Sequence, residues 1–453
     1  METFEQLLID FGNVAWGTPL LLLLVGGGLF FLIYSRMLPY RYLRHAWNIL
    51  RGKYDDPDEV GDINHYEALA TALAATVGLG NISGVAVAIT TGGPGALFWM
   101  WISALIGVAT KFFTCTLSIM YRGKDSKGEI QGGPMYVIRE GLGEKWKPLA
   151  ALFCFAGLFG ALPAFQANQL TQTVRDVILL PNGIAESFTT NLLTGLGIAA
   201  IVSTVIFGGI KRIGKVAGKL VPSMVAIYVL AVLFILAKNY TLIPASFVLI
   251  FEDAFTGDAV LGGALGAIII AGVRRAAFSN EAGIGTAPMA HGAAKTNEPV
   301  REGLIAMLGP IIDTVLVCTM TALAIIITGV WKNGGDEGIT VTLNAFTTAL
   351  PGFGSHILML CILIFSFTTM FSMSYYGSKC LSFLIGAEYK NHYNLFYVAS
   401  IILASVISLD AVIGLVDGMY ATMAIPTMVS AILLAPKVRA ASLDYFGRMK
   451  RIG

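Results

Sequence analysis

Charged residues are scarce in this sequence: Asp, Glu, Lys and Arg make up only 13% of its 453 residues. Soluble domains carry about 25% charged residues, so this composition excludes an ordinary soluble fold. The chain also lacks a GxxxxGK[ST] phosphate loop, an HExxH zinc motif and a recognisable nucleophile–base pair. We therefore predict a membrane protein that is not an enzyme and takes no cofactor other than an ion.

Cysteine is rare, and the charges of the two signs nearly balance. The net charge of +2 at pH 7 gives no indication of nucleic acid as a partner. The acidic N-terminus, METFEQLLID, lacks the basic segment of a signal peptide, so we expect no cleavage there. The five cysteines lie in apolar segments without CxxC spacing, and we interpret them as small buried side chains: Cys115, Cys154, Cys318, Cys361 and Cys380.

Long apolar runs are abundant. Hydrophobic residues make up 56% of the chain, and the mean hydropathy is +0.73. Because lipid offers no hydrogen-bond partner to the backbone, only helices or closed barrels cross a membrane, and continuous runs favour helices. We predict an all-α integral membrane protein with about eleven transmembrane helices, at 16–35, 66–90, 95–120, 148–174, 191–210, 219–237, 258–290, 303–331, 355–385, 393–409 and 411–436.

Positive charge is distributed unevenly over the connections between these spans. One face of the membrane receives 23 Lys and Arg residues, whereas the other receives three, which are Arg175, Lys238 and Lys332. The face richer in Lys and Arg is normally cytoplasmic. We therefore predict a multi-pass protein of the plasma membrane, with the N-terminus outside and the C-terminus in the cytoplasm.

The spans divide into one extra helix and two groups of five. After the extra helix at 16–35, a first repeat covers 66–237 and a second covers 258–436, and each begins with a glycine-interrupted span. Because each repeat has five spans, which is an odd number, the second repeat begins on the opposite side of the membrane from the first, and the two repeats have opposite topology. Paired interrupted helices at corresponding positions indicate an inverted-repeat transporter, so we predict one transmembrane transporter domain over 1–453.

The first interrupted span contains the segment TVGLGNISGVA, at 76–86. A helix broken inside the membrane leaves N–H groups at one new end, which favour a carboxylate, and carbonyls at the other, which favour a cation. Such backbone is tolerated only where it lines a cavity inside the protein. The alternative is that these glycines allow close helix packing. A second glycine break five helices later favours a binding site.

Several motifs together carry a family resemblance: ATVGLGNISGVA at 75–86, GGPG at 92–95, QGGP at 131–134, FSNEAGIG at 278–285, FSFTT at 365–369 and YYG at 375–377. On these motifs, the chain resembles the alanine or glycine:cation symporter family over nearly its whole length. The resemblance implies sodium-coupled uptake of alanine or glycine by a five-plus-five inverted-repeat fold. Two positions depart from the family's usual pattern, with Met373 in place of tryptophan and Ser378 in place of glutamate.

The neurotransmitter:sodium symporters share this fold and also carry a VGLGN segment, and matching on it implies a sodium site. Its ligands would be carbonyls of the first interrupted span and of span nine, together with two hydroxyls: Ala74, Val77, Phe365, Thr368 and Thr369. Phe365, Thr368 and Thr369 share one helical face, and sodium prefers oxygen ligands. Threonines in membrane helices otherwise bond back to the preceding turn. Thr76 and Asn81 match a second sodium site of that other family.

We predict the substrate site between the two interruptions. N–H groups from Gly78 to Gly80 would bind the carboxylate, and carbonyls of span seven or amides of span four would bind the ammonium group. Gln166 and Gln169 can share one face of span four, although interhelical hydrogen bonding would explain them equally well. The predicted substrate-binding residues are Thr76, Gly78, Leu79, Gly80, Asn81, Phe165, Gln166, Gln169, Gly272, Val273, Phe278 and Met373.

The position of the second break has two interpretations. A break at Gly272-Val273 divides 258–290 evenly, whereas one at 283–285 matches GLGN better by letter. We choose the first because the second leaves Arg274 and Arg275 deep in an outer half-helix. We also expect Glu281 to pair with Arg274, since buried charges need partners.

Two other mechanisms remain open at this point. Proton coupling would use a buried carboxylate such as Asp313 or Glu281, and Lys111 is a further ionisable group inside a span. No acidic residue adjoins GLGN or Thr368-Thr369 in the sequence, which favours sodium. A channel lined by the glycine-rich segments is the less favoured alternative. The predicted partners are thus alanine or glycine, sodium and the lipid bilayer.

Overall fold

The computed structural model describes residues 2–255, 264–332, 334 and 338–452. It is a helical bundle with one two-stranded antiparallel sheet, in which Gly123–Lys124 pairs with Ile130–Gln131. The helical elements of eight or more residues are Glu2–Ala15, Gly27–Tyr34, Leu43–Leu50, His65–Thr76, Val85–Gly92, Ala96–Met120, Lys147–Gly160, Ala164–Val174, Phe188–Ile206, Gly209–Lys238, Ile243–Phe255, Ala264–Asn280, Pro299–Ala306, Ile311–Cys318, Thr319–Thr328, Ile339–Ala349, Gly354–Ile385, Lys390–Ala404 and Leu409–Ile452.

Many of these helices are long and apolar enough to cross a membrane. Seven uninterrupted helical stretches meet this description, and two pairs of helices do so when each pair is taken as one bent span. The pairs are Glu5–Ala15 with Thr18–Tyr34, bent by 46°, and His65–Thr76 with Gly80–Gly92, bent by 51°. The seven are Ala96–Met120, Glu144–Asn182, Phe188–Ile206, Gly209–Lys238, Pro299–Thr328, Gly354–Ile385 and Leu409–Met449. The predicted all-α membrane fold is therefore confirmed, whereas the count of eleven spans stays a prediction.

Several predicted boundaries need correction. The sixth span begins at Gly209 rather than at 219, because the basic segment before it continues the helix. The last helix runs to Ile452 rather than ending at 436. The predicted span at 258–290 begins outside the described residues, and its described part starts at Ala264.

The first broken helix consists of His65–Thr76 and Gly80–Gly92. A capping box begins it: the Asn64 side chain accepts the Glu67 backbone N–H at 2.8 Å, and Glu67 accepts the N–H of Asn64 at 3.2 Å. These bonds satisfy two backbone donors that the helix leaves free at its start. The first broken helix packs against helix Gly354–Ile385, which carries the predicted sodium ligands.

The N-terminal helix Glu2–Ala15 packs along Leu409–Ile452. A Cβ on Gly414 would lie 2.5 Å from the Leu8 carbonyl oxygen, so glycine is needed for this close approach. The Trp16 indole donates a hydrogen bond to the Asp417 carbonyl at 2.9 Å. The N-terminal helix therefore contacts the last span, and the short helix Thr18–Leu21 after it contacts helix Ala264–Asn280. The division into repeats at 66–237 and 258–436 stays a prediction.

Candidate functional site

The first break lies between Thr76 and Gly80. Val77 has an extended backbone with ψ 91°, which ends the first half-helix. The Gly78 N–H donates to the side-chain oxygen of Asn81 at 2.8 Å. Of the N–H groups predicted to face a carboxylate, that of Gly78 is thus already satisfied by the protein. Leu79 is fully buried, and the Thr76 hydroxyl bonds back to the Ala72 carbonyl at 3.1 Å.

The glycines of this break allow two other helices to come close. A Cβ on Gly78 would lie 2.6 Å from the Thr369 hydroxyl and 3.9 Å from the Phe365 carbonyl oxygen. A Cβ on Gly80 would lie 3.4 Å from the Phe278 ring. The structure thus brings Gly78 next to Phe365 and Thr369, which are two of the predicted sodium ligands. Ala74 and Val77 are fully buried on the same helix.

The two adjacent threonines differ in their bonding. Thr368 donates to the carbonyls of Ile364 and Phe365 at 2.9 and 3.0 Å, as threonines in membrane helices often do. The buried Thr369 hydroxyl has no hydrogen-bond partner within the described part of the chain. An unpartnered hydroxyl in an apolar interior is costly, so Thr369 is the stronger candidate for binding an ion.

More unpartnered hydroxyls follow along helix Gly354–Ile385. Ser366, Ser372 and Tyr376 are also buried without a partner among the residues described. Together with Thr369 they recur at intervals of three or four residues, which places them along one side of the helix. This side gives the interior of the bundle a polar surface. Sequence analysis missed these residues, although their helical spacing was visible.

Asn81 links the first broken helix to an acidic residue. Its amide nitrogen donates to the Asp313 carboxylate, to the Asp313 carbonyl at 3.2 Å and to the Ser279 hydroxyl at 3.1 Å. Ser279 and Thr314 each donate to the same carboxylate at 2.9 Å. The prediction that no acidic residue lies beside GLGN is therefore wrong, because Asp313 contacts Asn81 from another helix. The sequence feature that indicates this cluster is the position of Asp313 inside an apolar span, because a buried carboxylate needs polar partners.

The second break is at Glu281–Gly285, and the predicted break at Gly272-Val273 is wrong. The second broken helix consists of Ala264–Asn280 and Thr286–His291. Between its halves, Glu281, Gly283 and Gly285 have φ of 53°, 90° and 108°, which end the helical course. A Cβ on Gly272 would lie 2.5 Å from the Ala96 carbonyl oxygen, so this glycine serves helix packing. Val273 is buried within the same unbroken half-helix.

The arginines that argued against this break have another partner. The Asp417 carboxylate accepts hydrogen bonds from Arg274 at 2.8 Å and from Arg275 at 2.5 Å. The expected pairing of Glu281 with Arg274 is therefore wrong. Glu281 instead accepts from the hydroxyls of Thr286 and, at 3.0 Å, of Tyr420. Asp417 lies too far along the chain for sequence spacing to indicate it.

Aromatic side chains lie together between the two breaks. The Phe165 and Phe278 rings meet edge to face with centroids 5.3 Å apart, and Tyr420 lies 5.9 Å from Phe278. The Met373 sulfur lies 3.9 Å from the Tyr420 hydroxyl. Three predicted residues of the substrate site are thus brought together, and Tyr420 is an addition that sequence analysis missed.

The two glutamines of span four differ in environment. Gln169 is fully buried, and its carbonyl oxygen accepts from the Ser83 hydroxyl at 3.0 Å and from the Ile339 N–H at 3.3 Å. Its amide donates to Gln172 at 2.9 Å. These bonds fit the alternative reading, in which Gln169 joins helices. Gln166 is buried next to Phe165.

The donor set favours a hard cation. In the described ranges, no group of three or more His, Cys, Asp or Glu residues is arranged to hold a metal. The predicted ligands Phe365 and Thr369 supply a carbonyl and a hydroxyl oxygen, and sodium prefers oxygen ligands. These residues therefore fit a sodium ion better than a transition metal.

Comparisons with known proteins bear on the family and the fold of the chain. A model of the sodium:alanine symporter family matches residues 1–452. The sodium/alanine symporter AgcS of Methanococcus maripaludis is 39% identical over 442 residues, covering 95% of each chain. The probable sodium/glutamine symporter GlnT of Bacillus subtilis is 35% identical over 460 residues, covering 100% of this chain and 92% of the relative. The crystal structure of MhsT with L-phenylalanine shares the fold, with a TM-score of 0.57 at 13% identity, covering 83% of this chain and 96% of MhsT.

Proposed function

The chain belongs to the sodium:alanine symporter family, and we propose that it carries alanine and glycine into the cell together with sodium. Its relatives are transporters rather than enzymes, and its apolar helices make it a multi-pass membrane protein. The observation that carries the proposal is the buried Thr369 hydroxyl, which faces Gly78 at the first break and has no hydrogen-bond partner among the described residues. A cation at this point would give that hydroxyl a partner and bind the first broken helix to helix Gly354–Ile385.

Sodium would lie between the end of the first half-helix and Thr369. The carbonyls at Ala74 and Val77 belong to the C-terminal turn of His65–Thr76 and its cap, where the helix dipole favours positive charge. Thr368 donates its proton to backbone carbonyls, so its oxygen still has lone pairs for a cation. All five proposed ligands thus supply oxygen.

The amino acid would lie between the two breaks. Backbone N–H groups at Leu79 and Gly80 would bind its carboxylate, and carbonyls at the end of Ala264–Asn280 would bind its ammonium group. Phe165, Phe278 and Met373 would surround its side chain and leave little space beyond a methyl group. Because both breaks contribute, closing the site couples the two broken helices, as alternating access requires.

Proton coupling is the second candidate, and buried charges support it. Lys111, Glu281 and Asp313 are each at most 2% exposed, and the lysine interacts electrostatically with both acids. If all three were ionised, the group would carry one net negative charge inside the membrane, which is costly without a cation. Either a proton or sodium would remove that cost.

The test is uptake of radiolabelled alanine into liposomes that contain the purified protein. We expect accumulation with an inward sodium gradient and none with a proton gradient of equal size. Accumulation driven by the proton gradient alone would favour the second candidate. Uptake that never exceeds the external concentration under any gradient would contradict coupled transport altogether.

A further inference from the structure

Three buried titratable side chains form a separate cluster away from the two breaks. The Glu302 carboxylate contacts the Nδ1 atoms of both His65 and His291, the latter at 2.5 Å. Each of the three residues is at most 1% exposed. The Nε2 atoms of the two histidines are buried and have no hydrogen-bond partner among described residues. We call these three residues the latch.

The latch joins the ends of both broken helices. His65 is the first residue of the first broken helix, and His291 is the last residue of the second. Glu302 belongs to helix Pro299–Ala306. The charge asymmetry of the connections predicts that these ends face the cytoplasm. One carboxylate thus holds together the inner ends of the two helices that line the proposed substrate site.

Neighbouring contacts close the same region. Arg122 donates to the carbonyls of Val60 and Gly292, both at 3.0 Å, and so fastens the chain before the first broken helix to the chain after the second. A cavity of about 310 Å³ is lined by residues that include Asp62, Ser374 and Lys379, and Lys379 donates to the carbonyl of Met289, two positions before His291, at 3.1 Å. Parting of the inner helix ends would extend this cavity towards the breaks.

The latch can bind further protons. Because each Nδ1 faces a carboxylate oxygen, it serves as the donor, and each Nε2 is left to accept a proton. The latch carries a charge of minus one with neither Nε2 protonated, zero with one and plus one with both. The charged or titratable groups that interact with it are Asp55, Cys115, Arg122 and Arg301. For His65, the interactions with Glu302 and Asp55 favour a further proton and outweigh the interaction with Arg301, which disfavours it.

We propose that the latch is a proton-binding site at which cytoplasmic acid holds the inner side of the transporter closed. In the closed state a protonated imidazole lies against the Glu302 carboxylate as a charge-assisted pair, and the first added proton takes the latch from minus one to zero, which removes a buried net charge. Parting of the inner ends separates this pair, so protonation stabilises the closed form and loss of the proton favours the open form. This inference rests on the proposed function only in assuming that the inner side opens and closes.

The experiment measures how fast a reporter cysteine in the cavity reacts with a maleimide in lipid nanodiscs. Ser374→Cys changes a buried cavity residue nearly isosterically, and Lys215→Cys on an exposed helix face corrects for the pH dependence of the thiol reaction. The protein without a reporter supplies the background of the five native cysteines. From about pH 8 to about pH 6, where imidazole titrates, we expect the corrected Ser374→Cys rate to fall about threefold or more.

Histidine variants in the reporter protein assign the effect to the latch. Gln can still donate an N–H to Glu302, so we expect His65→Gln and His291→Gln to fold and to weaken or abolish the pH dependence. His392→Gln, at an exposed histidine, is the matched control and should keep it. A flat pH profile in the reporter protein, or an unchanged profile in both latch variants, would overturn the proposal. Since the labelling needs no substrate, a positive result stands even where alanine uptake fails.

Discussion

The side chain of Asn81 donates a hydrogen bond to the carboxylate of Asp313, 232 positions further along the chain. The oxygen of the same amide accepts a hydrogen bond from the Gly78 N–H, so one side chain connects the first break to a buried acidic residue. Ser279, next to Phe278 in the second broken helix, shares the Asp313 carboxylate. Movement at either break therefore reaches the other through a continuous set of hydrogen bonds.

Thr369→Ala should weaken sodium dependence. The variant removes one oxygen that has no partner in the described part of the chain, so we expect a loss of about tenfold in apparent sodium affinity, as for one hydrogen bond to a charged group. Alanine affinity should fall as well, because coupling between two ligands is reciprocal. Thr369→Ser keeps the hydroxyl and should be mild. Sodium-dependent uptake is the measurement, with Thr347→Ala on an exposed helix face as the control; identical sodium curves would remove Thr369 from the site.

Gly78→Ala should abolish or strongly reduce uptake. The added Cβ would lie 2.6 Å from the Thr369 hydroxyl, so one of the two helices must move. Gly80→Ala, with its nearest contact at 3.4 Å, should be milder. Gly197→Ala is the matched control because no atom lies within 4 Å of its Cβ, and helix propensity favours alanine by roughly 1 kcal/mol. Equal uptake by the Gly78 and Gly197 variants would contradict close packing at the first break.

Asp313→Asn should lower the affinity for the coupling cation. The variant preserves size but removes one of the two acids that interact with Lys111, so a bound cation no longer neutralises a net negative charge. We expect apparent sodium affinity to fall at least about tenfold, the effect of about 1.4 kcal/mol. Asp410→Asn, at an exposed position, is the control. An unchanged sodium affinity in Asp313→Asn would show that this carboxylate does not contribute to cation binding.

Asp417→Asn should destabilise the protein. It leaves the guanidinium groups of Arg274 and Arg275 without a carboxylate, and breaking a buried pair costs about 3–5 kcal/mol. Thermal unfolding in detergent should show a clearly lower midpoint. Arg448→Ala breaks ion pairs at the surface and should leave the midpoint nearly unchanged. A midpoint shift that is no larger for Asp417→Asn would mean that the buried pairs contribute little.

Substrate size should be limited by the aromatic cluster. We expect glycine and alanine to be transported, serine weakly, and leucine and phenylalanine not at all, because the Phe165 and Phe278 rings already meet. Each methylene is worth about 1–3 kcal/mol in an apolar pocket, and steric failure to close adds to that. Met373→Trp should narrow the range further, since methionine is smaller and more flexible. Competition against labelled alanine measures this, and leucine competing as well as glycine would contradict a small pocket.

The sequence predicted the fold class because its evidence is local. Apolar length identifies a membrane span residue by residue, and the glycines of GLGN mark a place where helical backbone ends. Phe165, Phe278 and Met373 were chosen from separate spans, and the structure brings them near Tyr420. The predicted ligand roles at Ala74, Val77, Phe365, Thr368 and Thr369 stay predictions.

Only the tertiary structure decided which buried charged residues pair with each other between distant helices. The second break was misplaced because Arg274 and Arg275 looked unpaired, and their partner Asp417 is more than 140 positions away. Glu302 likewise meets His65, 237 positions earlier, to form the latch. Hydropathy and backbone preference are properties of short segments, so the sequence by itself determined the helical membrane class and where the first broken helix is interrupted. Which buried charges neutralise each other depends on how helices pack, and that is set by the shape of the whole bundle.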